Sequence, residues 1–99
     1  MDKHKTKVIF RKFKGGDIIA IFPEIPGTNN PNTCQSYMHI GQHGACNTAI
    51  IYSTTPAKDH EYMSLWAELL SIGYNLKTVK KHTYKMYLNK IAELNRLLK

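Results

Sequence analysis

The stretch from Val8 to Phe22 constrains this chain more than any other part of it. Two β-rich runs, Val8 to Phe13 and Asp17 to Phe22, flank Gly15-Gly16, and paired glycines supply the positive φ angles that a tight hairpin turn demands. With those glycines as a two-residue loop, Phe13 faces Ile18, Arg11 faces Ala20 and Ile9 faces Phe22. The other side then pairs Lys12 with Ile19 and Phe10 with Ile21. Both sides are largely apolar, so neither can be left to water as one side of an ordinary antiparallel sheet can. The rest of the chain must supply two covers.

Pro23 is expected to end the second run, because it has no N–H for a ladder. Pro26-Gly27-Thr28-Asn29-Asn30-Pro31-Asn32 is dense in turn formers and reads as a surface loop. Cys34 to Ile40 predicts a third strand, with Cys34, Ser36, Met38 and Ile40 on one face and Gln35, Tyr37 and His39 on the other. Gly41-Gln42-His43-Gly44 then forms a four-residue turn, and Ala45 to Ser53 returns as a fourth strand. In that register His39 lies opposite Cys46, and Tyr37 opposite Thr48.

A helix follows. Thr55 is placed to cap it, Pro56 to open it, and Asp59 and Glu61 to complement its dipole. Tyr62, Leu65, Trp66, Leu69 and Ile72 make one apolar stripe, widened by Met63 and Leu70, and Gly73 stops it. Leu76 to Lys81 reads as a fifth strand. From Thr83 onwards Tyr84, Tyr87, Ile91, Leu94 and Leu98 follow a heptad a/d pattern, with Lys85, Lys90, Arg96 and Lys99 on the outer face. The expected fold is α+β: an antiparallel sheet of four to five strands with two helices, in the order β-β-β-β-α-β-α. It fills residues 1–99 as one domain, since 99 residues are too few for two. The helix over 83–99 either covers the second face or packs against a partner, such as a second copy of the chain. A helix-turn-helix over Ala67 to Leu94 is the competing reading of the C-terminal part, disfavoured by the strand-rich N-terminal half.

The charge is distributed in blocks. Residues 1–14 carry a net +5, residues 76–99 a net +6, and the middle a net −4. Such ends serve one of three purposes: solubility, contact with nucleic-acid phosphates, or contact with an acidic protein surface. Aromatic residues sit among the cations (Phe10, Phe13, Tyr84 and Tyr87), as stacking on nucleic acid requires, although Tyr84 and Tyr87 also fit the apolar stripe of the last helix. The expected contact residues are Arg11, Lys12, Lys14, Lys77, Lys80, Lys81 and Lys85. If the first and fifth strands pair, most of these join into one patch; if they lie on opposite edges, solubility gains.

Two cysteines make no disulfide framework, and with no apolar run near the 20 or so residues of a bilayer span, the reducing cytosol is the expected compartment. Cys34, His39, His43 and Cys46 form a compact set of metal-ligating residue types. On a continuous strand Cys34 lies on the face opposite His39, so a metal would fall to His39, His43 and Cys46, converging at the turn. The bland alternative is a small buried Cys46 and two polar, partly exposed histidines. His39 and Cys46 also make a conceivable nucleophilic pair, but no acidic residue nearby in sequence orients the imidazole. No phosphate-cradling loop or dinucleotide fingerprint is present, and no cofactor is implied.

The run SYMHIGQHG, from Ser36 to Gly44, together with VIFRKFKGGDIIAIFPEIPG and SIGYNLKTVKK, resembles a group of small proteins carried by bacteriophages and mobile elements. The resemblance covers residues 6–81 and transfers no activity. It implies a context: an accessory protein in a bacterial cytoplasm. The expected function is a non-catalytic binding module for nucleic acid. A protein-binding inhibitor or adaptor of host machinery, dimeric through Tyr84, Tyr87, Ile91, Leu94 and Leu98, is the rival, and a metal-dependent enzyme the third reading.

Overall fold

The structure is a computed structural model and describes residues 5–39 and 42–98. Lys3, Ile40, Gly41 and Lys99 therefore lie outside the described residues. The elements are β1 (Thr6–Lys12), β2 (Ile18–Pro26), β3 (Thr33–Met38), β4 (Gln42–Asn47), a 3₁₀ helix (Thr48–Ser53), β5 (Thr55–Pro56), α1 (Asp59–Ser71), β6 (Leu76–Thr78) and α2 (Tyr84–Leu97). The fold is α+β, as expected. Its sheet runs β4-β3-β2-β1-β5, antiparallel throughout, and β6 adds to β1 in parallel.

The central hairpin differs from the expected one by a single residue. Phe13 N–H bonds to Asp17 O at 2.8 Å, and Gly16 N–H bonds back to Phe13 O at 2.9 Å. Lys14, Gly15 and Gly16 all belong to the loop, and of its two glycines only Gly16 takes a positive φ, of 103°. This is the three-residue hairpin loop that ends in a left-handed residue. The extra residue pairs Ile9 with Ile21, Phe10 with Ala20, Arg11 with Ile19 and Lys12 with Ile18. Every side chain of β2 thereby changes sides relative to β1. Val8, Phe10, Ala20, Phe22 and Tyr37 form one core with Leu65 and Leu69 of α1. Ile9, Ile19, Ile21 and Cys34 form another on the opposite face, covered by Ile50, Ile51 and Val79.

β2 runs past Pro23 to Pro26. Its pairing with β3 is interrupted between Phe22 and Pro26, so the proline sits in an irregularity where no donor is missed. β3 and β4 pair Cys34 with Cys46 and Tyr37 with His43, a register five residues from the expected one. Gln42, His43 and Gly44, expected in a turn over Gly41 to Gly44, belong to β4 instead, and the returning strand stops at Asn47 rather than Ser53. Asn47 Oδ1 accepts from Ala49 N–H at 2.8 Å and starts the 3₁₀ helix there.

Arg11 anchors that helix from below. It is 9% exposed, and its guanidinium donates to Ile51 O at 2.6 Å, to Thr54 Oγ1 at 3.0 Å and to Thr54 O. Thr55 and Pro56, expected to start the helix, pair instead with Lys12 and Arg11. α1 begins at Asp59, and Glu61 Oε1 accepts from Lys58 N–H at 2.9 Å. It ends where Gly73 was expected to end it: Gly73 has φ 110°, with Gly73 N–H on Leu70 O and Tyr74 N–H on Leu69 O, both at 3.1 Å. That double bond is the Schellman motif, and it turns Tyr74 back onto Phe22, ring centroids 5.0 Å apart.

α2 is capped by Thr83, whose hydroxyl accepts from Met86 N–H at 3.3 Å, and packs against β2. Its buried residues are Met86, Lys90 and Leu94. The inward stripe is therefore rotated by about 80° from the heptad line. Of that line Leu94 is buried and Tyr87 and Ile91 are half-buried against the chain's own sheet, while Tyr84 and Leu98 are exposed. Lys90, expected on the outer face, is fully buried. The segment Leu76–Thr78 is strand, which removes the helix-turn-helix reading.

Arg11→Met should unfold about 2–4 kcal/mol more easily in urea, because it takes the guanidinium's hydrogen bonds from Ile51 O, Thr54 O and Thr54 Oγ1. Amide exchange should accelerate first across residues 48–54.

Candidate functional site

β6 lies against the first half of β1, with Thr6 beside Leu76, Lys7 beside Lys77 and Val8 beside Thr78. Val79 N–H continues the ladder to Val8 O at 2.9 Å. β5 takes the second half of the same edge, and Ala57 N–H reaches Phe10 O at 3.1 Å. Where the two short strands meet, a cleft of about 570 Å³ opens, lined by Phe10, Ala57, Lys58, Tyr62, Val79 and Lys80 among others. Its floor is aromatic: the Phe10 and Tyr62 rings stack in parallel, centroids 4.2 Å apart. Tyr62 Oη donates to Asp59 Oδ1 at 3.1 Å, and burial, with Asp59 beside it, raises the phenol above its ordinary value. The ring therefore presents a neutral face. A cleft of this volume accommodates one planar aromatic group.

The seven expected contact residues separate into three sets. Lys77, Lys80 and Lys81 are exposed on or just after β6, along the edge that holds the cleft. Lys14 is exposed at the β1–β2 turn and Lys85 on the first turn of α2. Arg11 and Lys12 belong to the fold instead. Arg11 is buried under the 3₁₀ helix, and Lys12 Nζ pairs with Glu61 Oε2, a contact that holds the Glu61 carboxyl below its ordinary value. Lys7, beside Lys77, pairs with Glu24 at 3.2 Å. Lys58 and Tyr62, which sequence reasoning left out, line the cleft because α1 starts three residues later than Pro56. Only the pairing of β5 and β6 with one strand could have revealed them.

His39 and His43 both project on the α1 side of the sheet. His39 Nδ1 is 2.8 Å from Glu68 Oε1, and Ser64 Oγ lies 3.5 Å from its Nε2. Tyr37 Oη donates to the other Glu68 oxygen. Glu68 is thus the acidic partner that the local sequence lacks, supplied by α1. The order Ser–His–Glu resembles a hydrolytic triad, yet Ser64 sits inside α1, where the neighbouring N–H groups are engaged in the helix ladder and cannot form an oxyanion hole. His43 Nε2 bonds with Tyr74 Oη at 3.0 Å, and its ring meets the Tyr37 ring edge-on at 4.6 Å.

Cys46 points the other way, into the opposite core, so His39, His43 and Cys46 do not converge on one point. Among the described residues no three His, Cys, Asp or Glu side chains are grouped to hold a metal. Cys46 instead faces Cys34 directly, Sγ to Sγ 3.7 Å. Lys90 is near enough to this pair for its charge to act on both sulfurs; its Nζ has no hydrogen-bond partner among the described residues and sits 5.3 Å from the centroid of the Tyr87 ring. No described helix is long and apolar enough to cross a membrane. No family model, curated protein or solved structure matches the chain.

Burial lowers the Lys90 amine below its ordinary value of 10.5. Between that lowered value and 10.5 the unfolded chain binds more protons than the folded one, so stability rises with pH across the window. Lys90→Met, which removes a buried cation while keeping its volume, should stabilise the protein by about 1–3 kcal/mol at pH 7. The gain should shrink as pH approaches 10.5, as read from urea midpoints at a series of pH values.

Proposed function

We propose that this protein binds single-stranded nucleic acid along the β1 edge and catalyses no reaction there. The parallel pairing of β6 with β1 carries the reading. It draws the basic segment Lys77–Lys81 onto the edge that also holds the aromatic cleft, so that cations and a stacking surface adjoin. Phosphates need cations to displace their counterions, and bases need a flat apolar surface to stack on. Lys58, Lys77, Lys80 and Lys81 supply the first, and Tyr62 over Phe10 the second. Asp59, at the rim of the cleft, is placed to accept from a base amino group. The N–H groups beside Ser64 are engaged in the helix, so among the described residues they offer the arrangement at His39 no oxyanion hole, which favours binding over catalysis. On this reading the protein is an accessory factor of a phage or mobile element, acting in a host cytoplasm, the context its resemblance implies.

Fluorescence anisotropy with labelled single-stranded DNA and RNA at graded salt tests it. Affinity should fall linearly on a log–log plot, and Lys80→Glu with Lys81→Glu should reduce the slope by the equivalent of about two phosphate contacts. Tyr62→Leu should weaken binding by about 1–2 kcal/mol at every salt concentration, leaving the slope intact. Absence of binding to any strand at low salt, or a double variant that binds like the original protein, refutes the proposal.

A further inference from the structure

Cys34 and Cys46 are directly opposite each other on neighbouring antiparallel strands, with sulfurs 3.7 Å apart as free thiols. Opposed residues of an antiparallel pair have Cα atoms roughly 4.5–5.5 Å apart, within the range a disulfide spans. The two thiols differ in access. Cys34 is fully buried among Ile9, Ile19 and Ile21. Cys46 is half-buried on β4, the edge strand of the sheet, where a small molecule can reach it.

The burial of Lys90 without a hydrogen-bond partner among the described residues adds to this geometry. A fully buried ammonium without a hydrogen-bond acceptor is costly, and a packed core has no need of one there. The groups that face it are Cys34 of β3, Cys46 of β4, His82 just before α2, and the Tyr87 ring of its own helix. None is a carboxylate, and His82 is held below its ordinary value by burial and by Lys90 itself, so it stays neutral. Among these groups the cysteine pair is the one that can supply an anion for Lys90 to stabilise once a thiol ionises.

We propose that Cys34 and Cys46 form a thiol–disulfide exchange site for a low-molecular-weight disulfide, with Lys90 as the positioning residue that favours its reactive thiolate. Cys46 is the attacking sulfur. Hydrogen bonding from the Cys34 thiol, aided by the Ser36 hydroxyl and Lys90 against the opposing effect of burial, lowers Cys46 to about 7. The partner interaction and burial raise Cys34, which keeps its proton. The Cys46 thiolate attacks one sulfur of the disulfide RSSR; that S–S bond breaks, a Cys46–S–SR bond forms and RS⁻ leaves. Cys34 then gives up its proton and attacks Cys46 Sγ, expelling a second RS⁻. The chain has lost two electrons and two protons, and RSSR has become two RSH. A buried resolving thiol 3.7 Å from the attacked sulfur favours closure over a lasting adduct.

The full chain, reduced and then held in glutathione buffers of graded oxidation, provides the test. The expected result is a monomer lighter by two hydrogen atoms, with the Cys34 and Cys46 peptides joined in a non-reducing digest. Cys34→Ala should instead stop at a stable glutathione adduct on Cys46. Lys90→Met should shift the pH–rate profile of adduct formation upward and slow the reaction several-fold at neutral pH, while leaving the high-pH plateau unchanged. Unaltered mass of the original protein at every oxidation ratio, or links only between chains, overturns the site without reference to any variant. A Lys90→Met profile superimposable on the original overturns the role of Lys90.

Discussion

The turn at Lys14-Gly15-Gly16 decides how the rest of the molecule is arranged. With Gly16 in the left-handed region, the loop holds three residues, and β2 meets β1 with Phe10 beside Ala20 and Ile9 beside Ile21. Because strand side chains alternate, that one residue selects which apolar group each face receives. Phe22 joins Val8 and Phe10 under α1, and Ile19 and Ile21 join Ile9 on the other side. A hairpin apolar on both faces then requires two covers, and α1 supplies one while α2, the 3₁₀ helix and Val79 supply the other.

This two-sided design leaves β1 with an edge that two short strands share. β5 and β6 divide it because the chain between them is used to build α1 on one face and return. β6 runs parallel to β1, and the chain reaches it from β5 by way of α1. The cleft is a consequence: neither short strand covers Phe10 completely along its length, and Tyr62 fills the gap by stacking on it. Site and sheet closure are thus one feature.

The opposite face holds a different chemistry. A core of isoleucines with two thiols and a buried ammonium gains nothing in stability from the ammonium. The same low-polarity surroundings strengthen every electrostatic effect inside them, so one cation can act on both sulfurs. Such groups trade stability for reactivity. The α1 face solves its polar burden differently, with Glu68 collecting Tyr37 and His39 into a satisfied network.

Several elements were legible from residues alone, because their determinants are local. The α1 stripe at Leu65 and Leu69, the left-handed stop at Gly73, the two-sided apolar hairpin and the order of strands and helices all follow from spacing and backbone preference. The registers were not legible. Either loop length left both faces of the first hairpin apolar, so hydrophobic patterning had nothing with which to choose, and the five-residue slip of β4 hid the Cys34–Cys46 pair. Lys90 looked like surface because a lysine inside a core is a tertiary decision: it depends on where α2 lies, and α2 turns its Met86–Leu94 stripe inward to fit β2. Arg11 went from a phosphate ligand to a structural clamp for the same reason. The sequence by itself determined the fold class, the order of its main strands and helices and that both sheet faces needed cover, but not that Thr48–Ser53 is helical or that Thr55–Pro56 joins the sheet. Only the tertiary structure decided which cations remain at the surface, since burial of a charge is settled by long-range partners that no local pattern records.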